Sequence, residues 1–76
     1  MTTKLFIDSD TALNFKSRAQ AFIYAEKNGI PSMVLTQYPV DSGLKFSVFN
    51  PYIKSESCIE YFNTESEALK YIGSFL

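Results

Sequence analysis

Asp8 with Asp10, and Cys58 with Glu60, are the side-chain pairs whose types and spacing could do chemistry. Two carboxylates can share a metal ion or divide acid and base roles, provided that they converge. Asp8 and Asp10 converge only within one turn. Their Ser and Thr neighbours predict instead a solvated turn and a helix cap. A thiol is made a nucleophile by cationic neighbours or a helix N-terminus, and the neighbour of Cys58 in the alternation is Glu60, which is no activator. The expectation for Cys58 is a small, half-buried strand residue. The sequence has no histidine, which removes imidazole bases, Ser-His-Asp and Cys-His arrangements and the commonest metal ligand. A single cysteine leaves no thiolate metal site and no internal disulfide. Gly29, Gly43 and Gly73 are too far apart to cradle a phosphate. These residues predict a non-enzymatic protein with no catalytic, cofactor-binding or metal site.

Aromatic rings are the remaining signal. Seven Phe and five Tyr make up 16% of 76 residues. A core drawn from so short a chain is thin, so the rings either fill it or form an interface. In "GLKFSVFN" (43–50) alternation places Leu44, Phe46 and Val48 inward, and Lys45, Ser47 and Phe49 on a less buried face. Pro51 restricts Asn50 and stiffens the following turn, presenting Tyr52 beside Phe49. Phe49, Tyr52, Tyr38 and Tyr61 are the rings the core is not expected to absorb. The predicted partner-binding set is Phe49 and Tyr52 as anchors, with Tyr38, and Lys54 at the rim.

The elements that must position these rings are partly announced by a repeat. "FKSRAQAFIYA" (15–25) and "FNTESEALKYI" (62–72) share the pattern Phe-x-[Ser/Thr]-x-x-[Gln/Glu]-Ala-[Phe/Leu]-x-Tyr-apolar. Ser17 with Gln20, and Thr64 with Glu67, are capping-box pairs. They predict helices over 17–28, stopped by Asn-Gly and a proline, and over 64–75. Each copy is a junction at which an apolar residue closes one element and a helix folds back. The pattern fits an internal duplication or a common way of leaving a strand for a helix.

"KLFID", "SMVLTQY", "GLKFSVFN" and "SCIEYF" read as strands, with "YPVDSG" as a hairpin connection and "NPYIKSES" as a loop. "TALNF" (11–15) fits a strand by alignment with "CIEYF". It also fits a helix running back to a cap at Asp10, because Ala12, Phe15, Ala19 and Phe22 have helical spacing; the helix is the preferred reading. The predicted fold is one α+β domain over 1–76. It has a small antiparallel sheet of three or four strands with two helices packed on one face, in the order βαβββα.

The stretch "IEYFNTESEALKYI" (59–72) resembles the strand-to-helix end of the small hybrid-binding domain of many eukaryotic ribonucleases H, also found in a viral inclusion-body protein. It also resembles half of the peptidoglycan-binding repeat of bacterial division proteins. Each resemblance rests on the capping pattern. The basic, Trp-containing segment of the first family is not in this sequence, nor is the signal or anchor usual around the second. No functional residue carries over.

Net charge is −1, with seven basic and eight acidic residues scattered singly. Such a chain releases few counterions from a phosphate backbone, so nucleic acid is an unexpected partner. The opening "MTTKLFIDSD" has no apolar signal-peptide core, and no apolar run reaches membrane-span length. A cytoplasmic setting without membrane contact is expected. The leading functional reading is a protein-binding module that occupies a partner's surface, in the style of a small phage-encoded inhibitor or modulator of a host protein. A single-stranded nucleic-acid binder stacking bases on sheet aromatics is the alternative, followed by a self-assembling subunit. Weak homodimerisation is expected, because small antiparallel sheets have edges that need covering.

Overall fold

A computed structural model describes residues 2–53 and 57–76. The order is β1 (Thr2–Asp8), β2 (Thr11–Phe15), α1 (Arg18–Asn28), β3 (Met33–Gln37), a 3-10 turn (Val40–Ser42), β4 (Phe46–Phe49), β5 (Ile59–Phe62) and α2 (Glu65–Gly73). The five strands form one antiparallel sheet in the order β2-β1-β3-β4-β5. The α+β class is as expected. The strand count is five, and the order is ββαβββα.

The extra strand is "TALNF", for which the spacing of Ala12, Phe15, Ala19 and Phe22 predicts a helix. Two local contacts decide it. Asp8 Oδ1 accepts the Asp10 N–H at 2.9 Å, which turns the chain sharply into a hairpin. Ser17 is extended, at φ −149° and ψ 160°, and its hydroxyl accepts the Gln20 N–H. A residue in that conformation starts a helix and cannot lie inside one. Leu13 and Phe15 then face Leu5 and Thr3 across the ladder.

The helices lie over opposite faces of the sheet, where one shared face was expected. Leu5 and Val34 pack with Ala21 and Ala25 of α1, and Phe15, Phe22 and Phe49 join them. Phe6, Met33, Leu35 and Val48 pack with Ala68 and Ile72 of α2, joined by Phe46 and Phe62. Successive strand residues point to opposite faces, so the buried runs Leu5–Phe6 and Met33–Val34–Leu35 have partners on both sides. Continuous burial of this kind marks a strand covered twice.

The repeat now has a structural meaning. Each copy ends an edge strand and starts the helix that covers the adjoining sheet. Ser17 and Thr64 cap α1 and α2 through their hydroxyls. Ala21 and Ala68 are fully buried where helix meets sheet. Phe15 meets Tyr24 at 5.4 Å, and Phe62 meets Tyr71 at 5.1 Å. The strand order and the exchange of faces are those of a half-turn about an axis along β3, which relates β1–β2–α1 to β4–β5–α2.

Candidate functional site

Each helix covers one side of the sheet more than the other. α1 lies mainly over β1, β2 and β3 and reaches Phe49 of β4, while α2 lies mainly over β4 and β5 and reaches Phe6, Met33 and Leu35. Two quarter-faces are left without a helix, and they differ in chemistry. On the α2 face, over β1 and β2, stand Lys4 and Asn14, with Ala12 partly buried against the edge of the α2 cluster. On the α1 face, over β4 and β5, stand Ser47 and Tyr61, a facing pair in the ladder of which Ser47 is buried. Tyr61 is 58% exposed. The Tyr38 hydroxyl reaches over this quarter to the Ser47 Oγ at 2.9 Å.

The turn between β3 and β4 extends this aromatic quarter. Ser42 ties it together, with its N–H and its hydroxyl both donating to the Pro39 carbonyl, at 3.1 and 2.7 Å. The Leu44 N–H donates to the Ser42 hydroxyl, and Gly43 takes a left-handed φ of 82°. So tight a turn has no room to fold its apolar side chains inward. Val40 is fully exposed and Leu44 is 45% exposed. A shallow cleft of about 230 Å³ runs between Tyr38, Val40, Leu44 and Phe46. A second, of about 130 Å³, adjoins it and is bounded by Tyr61, Phe62 and Asn63. Lys45 lines both and is the one charged side chain that does so.

The structure separates the residues expected to act together. Phe49 is half-buried and lies edge-on to Phe22 at 4.9 Å, within the α1 cluster. It is a core ring, because the face assigned to it as less buried is the one that α1 covers. Tyr52 is half-exposed, and its N–H donates to the Asn50 Oδ1 at 2.9 Å. Its ring stacks on Phe75 beyond the end of α2, away from Phe49. Lys54 lies outside the described residues. Tyr38, half-buried, stands beside Val40, Leu44, Lys45 and Tyr61, which are not in the predicted set. The signal for Val40 and Leu44 was two apolar residues inside a Pro-Asp-Ser-Gly turn, too short to bury either. Leu44 itself was expected inward with Phe46 and Val48, but it precedes β4 and escapes the alternation.

The polar groups elsewhere make local contacts. Asp8 and Asp10 form the hairpin turn, and the Asp10 N–H holds the Asp8 carboxyl below the ordinary aspartate range. Cys58 sits just ahead of β5 with a left-handed φ of 55°, and its carbonyl accepts the Asn50 N–H at 2.7 Å. Asn50 is fully buried, and its Nδ2 donates to the Tyr71 hydroxyl at 3.1 Å, joining this loop to α2. Among the described residues, no three His, Cys, Asp or Glu side chains lie close enough to hold one metal ion. No helix among them is long and apolar enough to cross a membrane. Comparison with protein-family models, curated proteins and solved structures gives no match, so the reading of function rests on this surface alone.

Proposed function

We propose that the chain is a non-enzymatic protein-binding module that acts by occupying the surface of a protein partner. The observation that supports this is the contrast between the two uncovered quarter-faces. One is small and polar; the other gathers Tyr38, Tyr61, Val40 and Leu44 around two clefts. Exposed aromatic and aliphatic side chains around a cleft are the composition of interface centres, where a few anchors carry most of the binding energy. A small phage-type inhibitor or modulator of a host protein is one form such a module takes, proposed on chain size alone. Single-stranded nucleic acid is a second reading, since Tyr61 offers a ring beside Lys45. One lysine in a chain of net charge −1 gives it little electrostatic support.

The test is quantitative capture from native lysate with the tagged wild-type chain and two double variants. Leu44→Ala/Tyr61→Ala removes the aromatic surface, and Lys4→Ala/Asn14→Ala alters the polar one. Loss of an anchor side chain typically costs about 2 kcal/mol or more in binding. The first variant is therefore expected to lose its partner while the second retains it. Equal retention by both, or equal loss, would falsify the assignment.

A further inference from the structure

We infer that β5 is a docking edge at which an extended segment of a protein partner adds to the sheet as a sixth strand, antiparallel to β5. The segment carries an apolar residue opposite Tyr61 and a carboxylate opposite Asn63, within reach of Lys45. This rests on the protein-binding reading above and gives it a mode and a partner chemistry.

The direction of the backbone groups follows from two hydrogen bonds. The Asn50 N–H donates to the Cys58 carbonyl, and the Tyr38 N–H to the Lys45 carbonyl. Facing residues in an antiparallel ladder alternate between those that exchange hydrogen bonds and those that do not. With Val48 opposite Glu60 and Phe46 opposite Phe62, these are the bonded pairs. Ile59 and Tyr61 must then turn their N–H and C=O groups away from β4, toward the edge that no described strand covers. The Ser57 hydroxyl accepts the Ile59 N–H at 3.4 Å, which leaves Tyr61 to offer a donor and an acceptor side by side. The same alternation, carried through β3 and β1, turns Asn14 outward on the opposite edge.

The two edges are not equivalent in what surrounds them. Edge strands are commonly protected by proline, lysine, bulges or a covering element. β2 is preceded by a register shift between Phe6 and Asp8, and its outward residues carry the small or polar side chains of Ala12 and Asn14. β5 reads Ile-Glu-Tyr-Phe, with neither proline nor lysine and Glu60 as its single charge. The ring of Tyr61 stands on the uncovered quarter-face, so a residue paired with it gains an apolar neighbour. Extending the register by one residue sets Lys45 opposite Asn63. Because Lys45 is, among the described residues, the only charged side chain lining either cleft, a carboxylate at that end of the added strand meets a complementary charge. Strand addition supplies affinity through main-chain bonds and specificity through alternate side chains.

The experiment is selection of a displayed library of random linear peptides against the full-length chain, followed by anisotropy titration of the strongest binder. The enriched sequences are expected to carry Asp or Glu two positions from an apolar residue, on the same face of the added strand. The binder is then synthesised with either alternate set of backbone amides N-methylated. Methylating the set that faces β5 is expected to weaken binding by about tenfold or more, while the other set changes it little. Lys45→Glu is expected to weaken the acidic peptide and favour one with Lys in its place. Equal responses to the two methylation patterns overturn strand addition. So does a failure to enrich any peptide while partner capture still depends on Leu44 and Tyr61, and in that case the protein-binding reading stands. Insensitivity of capture to those two residues removes both. Protection of the Tyr61 amide from exchange in the concentrated chain alone also overturns the inference, because a second copy then fills the edge.

Discussion

Ser17 and Thr64 each start a helix through one hydroxyl oxygen, which accepts the N–H three residues on at 3.3 and 3.2 Å. Removing either oxygen leaves that N–H without its partner. Ser17→Ala and Thr64→Ala are each expected to cost about 1 kcal/mol in a urea titration. A neutral or stabilising Ser17→Ala would mean that α1 runs through this residue after all. Asp8 gives a pH-dependent counterpart. Its folded pKa is lowered, first by the Asp10 N–H, so its contribution is present above the unfolded pKa and is lost as pH falls through the folded value. Asp8→Asn should therefore flatten the acid limb of the stability curve below about pH 4. An unchanged limb would show that the turn does not depend on the carboxylate. These residues were legible in the sequence because capping and turn chemistry act over three or four positions. The left-handed Cys58 was not legible, because its conformation is set by the Asn50 N–H reaching across the loop.

At the scale of elements, the helices could be read from their caps, and four of the strands from alternation and β-branched content. β2 was missed because Ala12 and Asn14 are poor strand formers whose spacing from Phe15 also suits a helix. An edge strand tolerates them, since only Leu13 and Phe15 face the α1 core. The division of the helices between the faces was present in "MVL", a short run with no polar alternation, but periodicity alone does not separate such a run from other apolar segments. Phe49 was misplaced for the same reason, since a second covered face was not expected. Phe49→Ala is accordingly expected to lower stability by roughly 3 kcal/mol through loss of a packed ring. Tyr52→Ala, half-exposed on Phe75, should cost much less. Equal thermal midpoints for the two variants would contradict this packing. Thr3 and Thr36 face each other across β1 and β3, fully buried, with hydroxyls that bond to no described protein group. Thr36→Val keeps the shape and removes the polar atom, so it should raise stability by about 1 kcal/mol. A loss of stability would show that the hydroxyl is satisfied in solution.

For the whole molecule, the near half-turn between β1–β2–α1 and β4–β5–α2 makes the two edges a natural comparison. Asn14 and Tyr61 occupy matching places, each one residue before the Phe that closes its edge strand. Both backbone amides face outward from the sheet. What differs is the surface beside them: polar at Asn14, aromatic and cleft-bearing at Tyr61. The central claim is that a protein partner covers the second surface and leaves the first open. Hydrogen exchange of the chain, alone and with its captured partner, tests this most directly because each amide is the control for the other. Slowed exchange at Tyr61 in the complex, with Asn14 unchanged, is the result this account predicts. Slowed exchange at Asn14 with Tyr61 unchanged would contradict it and move the binding surface to the other edge.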